Sequence, residues 1–323
     1  MKAIVQDVYG SADVLELRDI APPTPREGEV LIRVRAAGVE QGVWHLMTGL
    51  PYLVRLFGYG LKRPKVPVRG REVAGIVEAV GAGVTRFAAG DEVYGTCDGS
   101  FAEFVCAKEG KVARKPANLS FEEAAAAPIS AVTALQAVRD AGEVTVGQKV
   151  LIIGAGGGVG SFAVQLAKAF GAEVTGVCST GKVELVRSLG ADAVIDYTKS
   201  DIAGSGVLYD VILDTAGNRP LSVLRRALAP KGTLVIVGGE GGGRLTGGFE
   251  RSLGAPFAAL FSGQKFKGLV SKETYLDLEA LTSLIEAGSV KPTVDKVFPL
   301  AEAPAAIRYL HEGRSRGKVV VTI

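Results

Sequence analysis

The chain has 323 residues, of which 47% are hydrophobic and 22% are charged, so it is long enough for two domains with large buried cores. Its formal net charge is only +3 and its basic residues are scattered, which argues against a nucleic-acid partner. Three cysteines are too few for a disulfide framework, and no apolar run or leader of signal type is present, so we expect a cytoplasmic protein without a membrane partner.

The first part of the chain, residues 1–122, is predicted to be a β-rich domain, completed by about residues 290–323. Glycine-containing turns separate predicted strands at residues 3–6, 30–36, 72–80 and 102–106. Residues 51–65 form an apolar and then basic insertion. We interpret the insertion as a wall or lid of a substrate pocket; contact with a membrane surface is the alternative.

The middle of the chain, residues 123–289, alternates strands and helices and therefore predicts a parallel sheet with right-handed crossovers. An alanine-rich helix is expected over residues 121–141. The predicted strands are 149–153, 173–177, 193–196, 210–214 and 233–237, and the predicted helices are 158–170, 182–189 and 220–228. The fold class is α/β, with a doubly wound sheet beside the β-rich domain.

The last part begins with a glycine-rich stretch, residues 238–263. Within it, we expect residues 240–263, with Phe257 and Phe261, to cover a bound cofactor. Residues 264–269 are predicted to form a strand that pairs across a dimer. The tail then predicts a helix at 273–286, a strand at 293–299, a helix at 301–312 and a strand at 318–323.

A glycine cluster follows the first strand of the parallel sheet. Gly157, Gly158 and Gly160 open a helix directly after an apolar strand. Small residues let the backbone approach a pyrophosphate, and the helix N-terminus supplies N–H donors. The sequence therefore predicts a dinucleotide site; a tight strand-helix turn without a ligand is the alternative.

The second strand of this unit is not followed by the acid expected for NAD. A carboxylate about 20 residues after the glycines binds the ribose 2′-OH of NAD. Here Cys178, Ser179, Thr180, Gly181 and Lys182 occupy that position. Hydroxyls and a lysine accept a 2′-phosphate, so NADPH is the predicted cofactor. Alternatively, Ser179 only begins a turn and Lys182 is solvated.

Several motifs give the chain a family resemblance. The segments GAGGGVGSFAVQLAKAFGAEVTGVCST, GREVAGIVEAVGAGVTRFAAGDEVYG, APISAVTALQAV and GKVVVTI resemble the medium-chain dehydrogenase/reductase superfamily, in its zinc-free quinone oxidoreductase, or zeta-crystallin-like, group. The resemblance implies a GroES-like domain, a Rossmann domain and usually a homodimer. The positions at which zinc-containing members carry a cysteine and a histidine correspond to Glu40 and Arg71, so we expect no metal.

Without a metal, hydride transfer works best onto an electrophilic carbon of a conjugated substrate. The resemblance accordingly implies NADPH-dependent reduction of quinones or α,β-unsaturated carbonyl compounds. Two alternatives stay open: an NADPH-binding sensor or partner-binding protein without catalysis, and a zinc-free alcohol or ketone dehydrogenase.

The resemblance also implies where the cofactor contacts lie. Thr133 should lie beside the nicotinamide, although its hydroxyl could instead satisfy its own helix. Tyr197 should lie near the adenosine 2′-phosphate, although it could instead pack on helix stems. The full set of expected cofactor residues is Thr133, Gly156, Gly157, Gly158, Val159, Gly160, Ser179, Thr180, Lys182, Tyr197, Gly217, Gly238 and Gly239.

Catalytic residues are harder to assign. The loop after residue 39 reads EQGVWHLM, with Glu40 and His45 where related proteins often have asparagine and tyrosine. Tyr52 follows a few residues later. We regard Glu40, His45 and Tyr52 as the candidate catalytic residues, with ordinary packing as the alternative for His45.

Overall fold

The computed structural model describes residues 1–202, 206–238, 243–248, 251, 254 and 263–323, and the chain divides into two compact units. Unit one comprises Met1–Val132, Glu273–Gly288 and Pro292–Ile323, and unit two comprises Thr133–Lys272 and Ser289–Lys291. This division differs from the predicted domain boundaries at two places. Residues 123–132 and 273–288 belong to the β-rich unit and not to the parallel-sheet unit.

Fifteen strands lie in the described residues. In chain order they are β1 (Lys2–Val5), β2 (Glu16–Asp19), β3 (Glu29–Val39), β4 (Glu72–Val80), β5 (Glu92–Thr96), β6 (Phe104–Lys108), β7 (Val112–Arg114), β8 (Lys149–Ile153), β9 (Glu173–Cys178), β10 (Ala193–Asp196), β11 (Tyr209–Asp214), β12 (Leu228–Ile236), β13 (Lys265–Gly268), β14 (Val294–Pro299) and β15 (Lys318–Thr322).

None of the described α-helices is long and apolar enough to cross a bilayer. They are α1 (Gln41–Thr48), α2 (Tyr52–Val54), α3 (Phe121–Ala125), α4 (Pro128–Leu135), α5 (Gly158–Ala169), α6 (Val183–Ser188), α7 (Leu221–Ala227), α8 (Tyr275–Glu286) and α9 (Ala303–His311). Two π-helical turns, Arg55–Tyr59 and Gln136–Ala141, continue α2 and α4.

Unit one is built around a sheet with the strand order β14-β15-β3-β4-β5-β7, in which β6 also pairs with β3. Its strands are antiparallel except for β14 and β15, which run parallel. Alternate residues of β3, such as Val30, Ile32 and Val34, are buried in one apolar cluster. The closing strand β15 pairs with β3, so the end of the chain completes the sheet that its beginning starts.

Unit two contains a six-stranded parallel sheet with the order β10-β9-β8-β11-β12-β13. This is the Rossmann order, in which the strand sequence reverses between β8 and β11. The strands are apolar on both faces because helices cover both sides of such a sheet; Leu151, Ile153 and Ile212 are buried in its core. Ligands bind such sheets at the carboxyl ends of the strands near this reversal.

The predicted helix over residues 121–141 is interrupted. Ser120 and Glu123 form a capping box that starts α3, and a new helix begins at Pro128, because proline is favoured in the first turn of a helix but not in its interior. Three short strands, β2, β5 and β7, were not predicted. Residues 239, 257 and 261 lie outside the described residues, so the expectations for Gly239, Phe257 and Phe261 stay predictions.

Candidate functional site

The glycine loop joins β8 to α5 in unit two. Helix α5 begins at Gly158, and its N-cap residue Gly157 makes no side-chain capping bond. The first N–H groups of a helix have no intrahelical partner and carry a partial positive charge. The loop therefore offers backbone donors at the carboxyl end of a parallel strand, as a pyrophosphate requires.

Close packing explains why this loop needs glycines. A Cβ at Gly160 would overlap the carbonyl oxygen of Gly154, and Gly154 itself has φ of +82°. A Cβ at Gly238 would overlap the carbonyl oxygen of Thr215. The residues that follow β8, β11 and β12 are thus packed closely at the carboxyl edge of the sheet. Neither Gly154 nor Thr215 was among the predicted site residues, although Gly154 directly follows the apolar strand β8.

Lys182 lies beside the glycine loop. A Cβ at Gly156 would come within 2.8 Å of the Lys182 Cβ, so the lysine stem packs against the loop backbone. Ser179 occupies the N-cap position of the short 3-10 helix Thr180–Lys182 that follows β9. The structure therefore brings the predicted turn after β9 next to the predicted pyrophosphate loop.

A carboxylate also lies at this edge, although it comes from the next strand. Asp196 ends β10 and is the register partner of Cys178 at the end of β9. Its carboxylate accepts hydrogen bonds from the Thr180 hydroxyl at 2.7 Å and from the N–H and hydroxyl of Thr198 at 3.0 and 2.7 Å. These hydrogen bonds lower the pKa of Asp196 to about 2, so it is ionised at neutral pH. The prediction of a missing acid rested only on residues 178–182, which lie at the end of β9 and directly after it.

Tyr197 follows Asp196 and is exposed. Its N–H donates to the Cys178 carbonyl oxygen at 3.1 Å, and 52% of the residue surface is accessible. The guanidinium carbon of Arg219 lies 5.7 Å from the centre of the Tyr197 ring. Tyr197 is therefore exposed at the edge where the turn after β9 and the glycine loop meet.

The remaining cofactor candidates of unit two have different surroundings. Gly217 has φ of +67°, and its N–H donates at 2.9 Å to the fully buried Asp214 at the end of β11. Asp214 also pairs with Arg251 at 2.7 Å. Thr133 is half-buried in the interior of α4 and not at its start. A role for Thr133 beside the nicotinamide stays a prediction.

The three catalytic candidates lie at or near α1 in unit one. Glu40 is the N-cap residue of α1; one carboxylate oxygen accepts a hydrogen bond from the Gly42 N–H, and the other is buried without a described partner. Burial raises the pKa of Glu40. His45 Nδ1 lies 2.8 Å from the Leu50 carbonyl oxygen. Tyr52 begins α2, and the Arg55 guanidinium lies 4.9 Å above its ring.

The guanidinium of Arg71 places a positive charge near Glu40. Burial opposes its charge, but the carboxylates of Glu40 and Glu273 outweigh this effect and hold the pKa of Arg71 above its usual range. Its guanidinium donates to Glu273, which also accepts from Lys111 at 3.1 Å and from the Thr96 hydroxyl at 3.0 Å. Within the described residues no three His, Cys, Asp or Glu side chains are grouped to hold a metal ion. An arginine with this partner does not suit a zinc site.

Unit one also contains a small cavity that opens to solvent. One part of its wall is apolar, with Val43, Leu46, Val66 and Val68, and the rest is polar. The polar lining residues are Tyr59, Arg69, Arg71 and Asp98, with Gly70 and Gly99 between them. Burial lowers the pKa of Arg69 to about 10, which leaves it protonated at neutral pH. A pocket wall was predicted in residues 51–65, and Tyr59 of that insertion lines this cavity.

Two family models match the chain. Residues 26–117 match the alcohol dehydrogenase GroES-like domain, and residues 189–321 match a model described as a zinc-binding dehydrogenase. These matches cover much of both predicted domains.

Curated relatives and solved structures match nearly the whole chain. It is 36% identical to 2-methylene-furan-3-one reductase from Solanum lycopersicum and 35% identical to the chloroplastic NADPH-dependent alkenal/one oxidoreductase from Arabidopsis thaliana, in each case over 99% of this chain and 79% of the relative. The structure of the quinone oxidoreductase from Coxiella burnetii superposes with a TM-score of 0.83 at 28% identity, covering 100% of this chain and 99% of that one. The chain therefore belongs to the medium-chain dehydrogenase/reductase superfamily, in its quinone oxidoreductase group.

Proposed function

We propose that this protein uses NADPH to reduce quinones or α,β-unsaturated carbonyl compounds. The observation that carries the proposal is the N-terminus of α5, which opens through glycines at the carboxyl end of β8 with Lys182 packed beside it. Relatives named as an alkenal/one oxidoreductase, a methylene-furanone reductase and a quinone oxidoreductase support the substrate class.

NADPH is the proposed form of the cofactor because of the turn after β9. The turn carries the positive charge of Lys182 and the hydroxyl group of Ser179, and a turn after the second strand is where such folds bind the adenosine ribose. Asp196 would repel a 2′-phosphate bound there, but Thr180, Thr198 and Lys199 surround its carboxylate, with Lys199 Nζ at 3.6 Å. We infer that Asp196 organises the turn and is not a ribose ligand.

The reaction is proposed to need no metal, although one matching family model is described as zinc-binding. Zinc in proteins is bound by cysteine, histidine or carboxylate side chains in a tetrahedral set. Here Arg71 is bound to Glu273, and one oxygen of Glu40 is bound to the Gly42 N–H. These residues do not fit a zinc ion, so the activation of the substrate has to come from its own conjugation.

NADPH bound at the glycine loop would supply the hydride, and this chain's own residues would have to stabilise the charge that develops on the substrate oxygen. We propose that the cavity of unit one holds the substrate, with its apolar wall against the carbon skeleton. Arg69 and Arg71 line the polar wall and are protonated, so they can stabilise a developing negative charge on oxygen. Glu40 is the proposed proton source among the three candidates, because it lies at the start of α1 near Arg71, which lines the cavity, and because burial raises its pKa.

We also propose that the protein is a homodimer. A homodimer is supported by β13, which pairs with β12 and lies at the end of the six-stranded sheet. Pairing of this strand with a second copy would extend the sheet. The cytoplasmic location stays a prediction from the sequence.

The proposal is tested with purified protein, NADPH, and a panel of naphthoquinones, 2-alkenals and saturated ketones, in buffer that contains a chelator. We expect NADPH oxidation with quinones or 2-alkenals and none with the saturated ketones. Tight NADPH binding without turnover would instead support a binding protein. Turnover of the saturated ketones alone would support an alcohol dehydrogenase.

A further inference from the structure

One segment of unit one exposes more large apolar side chains than any other described segment. Among the described residues, no other stretch of ten contains more than two exposed large apolar side chains, whereas residues 52–61 contain five. Their exposed fractions are 43% for Tyr52, 68% for Leu56, 63% for Phe57, 38% for Tyr59 and 65% for Leu61. We call residues 52–65 the tip segment. Exposed patches of this kind mark interaction sites.

The charge of the tip segment is of one sign. It contains Arg55, Lys62, Arg63 and Lys65 and no Asp or Glu. Lys62, Arg63 and Lys65 are exposed. An apolar tip followed by three exposed cations is complementary to an anionic surface with an apolar layer beneath it.

The tip segment is held in place at its base. The Tyr9 hydroxyl donates to the carbonyl oxygens of Gly60 at 2.6 Å and Tyr59 at 3.0 Å. Arg55 Nε donates to the Gly49 carbonyl oxygen at 2.9 Å, and its guanidinium stacks on the Tyr9 ring at 4.3 Å. Arg55 is therefore engaged with the protein, whereas the other three cations are exposed. Arg63 lies near enough to Asp7 to help Arg18 lower the pKa of that carboxyl. The apolar side chains are presented by a loop that is already folded.

We propose that the tip segment docks this protein onto an anionic lipid bilayer. Leu56, Phe57 and Leu61 would enter the boundary between headgroups and acyl chains, and Lys62, Arg63 and Lys65 would contact the headgroup phosphates. This proposal takes up the alternative that the sequence left open for residues 51–65, against the expectation of no membrane partner, which stays untested. Tyr59 and Val66 line the cavity of unit one, so a docked tip would bring a lipid-dissolved substrate close to that cavity.

The test is sedimentation of the full chain with vesicles, which needs neither cofactor nor turnover and so stands apart from the proposed reductase activity. Vesicles of phosphatidylcholine alone are compared with vesicles that also contain phosphatidylglycerol. We expect the wild-type protein to bind the anionic vesicles, and added salt to weaken binding because it screens charges. The variant L56S/F57S/L61S should lower the partition coefficient by about tenfold or more, and K62Q/R63Q/K65Q should remove the preference for anionic lipid.

Matched controls come from unit two. Val146 and Val270 are 82% and 75% exposed, so V146S/V270S removes exposed apolar groups elsewhere, and R225Q/R226Q/K231Q removes three exposed cations. Both controls should bind vesicles like the wild type. Thermal melts check that every variant is folded.

Three results would overturn the proposal. The first is wild-type protein that stays in the supernatant with anionic vesicles. The second is full binding by L56S/F57S/L61S. The third is a wild-type oligomer, measured by light scattering, that this variant dissociates, because a second copy of the chain would then cover the tip segment.

Discussion

Lys182 and Asp196 place opposite charges at the turn after β9. The lysine stem packs against Gly156, whereas the carboxylate accepts the Thr180 hydroxyl. A bound 2′-phosphate would be attracted by Lys182 and repelled by Asp196. Their balance decides between NADPH and NADH, and it can be measured one residue at a time.

Removing the cation should weaken NADPH selectively. We expect Lys182→Met to weaken NADPH binding by about 1–2 kcal/mol, since it removes a charge-assisted hydrogen bond, with little effect on NADH. Ser179→Asp should lower the NADPH preference further. Calorimetric titration of both cofactors measures this, with Lys231→Met as an exposed control. Equal losses for both cofactors in Lys182→Met would contradict the assigned role.

Glu40 should make stability depend on pH. Its pKa is raised in the folded state by burial, so the native protein holds this proton more tightly than the unfolded chain. The stabilisation is complete below the unfolded pKa of about 4.3 and is lost as the pH rises through the folded value. Glu40→Gln keeps an oxygen that can accept from Gly42 but does not titrate. The free energy of unfolding in urea should therefore fall less steeply with pH in this variant; an unchanged slope would show that Glu40 is not shifted.

At the scale of elements, the contact between β8 and α5 sets the shape of the cofactor loop. Gly160→Ala places a methyl group against the Gly154 carbonyl oxygen and should cost about 1–3 kcal/mol of stability through overpacking. NADPH affinity should fall as well, because the loop backbone has to move. Gly110→Ala is the control, since a Cβ there meets nothing within 4 Å. Denaturation curves that are the same for Gly160→Ala and Gly110→Ala would refute this account of the loop.

The elements that sequence reasoning could predict are those with a strong local pattern. Strands β4, β8 and β10 have the predicted bounds, because each is an apolar run with clear ends. Strands β5 and β7 are short, with five and three residues. They are stabilised by tertiary pairing, since β5 pairs with both β4 and β7, and not by local propensity. Helix α8 was predicted as a helix but not as part of unit one. The spacing of apolar residues indicates a helix but does not indicate which sheet the helix packs on.

In the candidate site, too, residues in local motifs could be predicted and residues brought together by the tertiary fold could not. The glycine loop and Lys182 were both predicted, because they follow the first and the second strand of one strand-helix-strand unit. Asp196 reaches the site through the parallel register with β9, and Arg69 and Asp98 line one cavity although they are far apart in the chain. Such long-range neighbours follow from the tertiary fold and leave no local signal.

At the scale of the whole molecule, a buried ion pair joins distant parts of unit one. Lys318 on β15 pairs with Glu72 on β4 at 2.5 Å and donates to the Ser130 hydroxyl at 3.0 Å, and both charged side chains are almost fully buried. Lys318→Met leaves Glu72 buried without its cation and should cost about 3–5 kcal/mol.

The double variant E72Q/K318M removes both charges and should recover part of that loss. The surface pair of Lys2 and Asp19 is the control, because Lys2→Met should change the free energy of unfolding by less than about 1 kcal/mol. Chemical denaturation measures all of these variants. A Lys318→Met protein as stable as the wild type would show that Glu72 finds another partner.

The most direct test of the central claim is the ratio of kcat/KM for NADPH to that for NADH, measured with one naphthoquinone after dialysis against a chelator. The account predicts that full activity survives dialysis, that NADPH is preferred by about tenfold or more, and that Lys182→Met removes most of this preference. Activity that disappears with the chelator and returns with zinc, or an NADH preference in the wild-type protein, would contradict it.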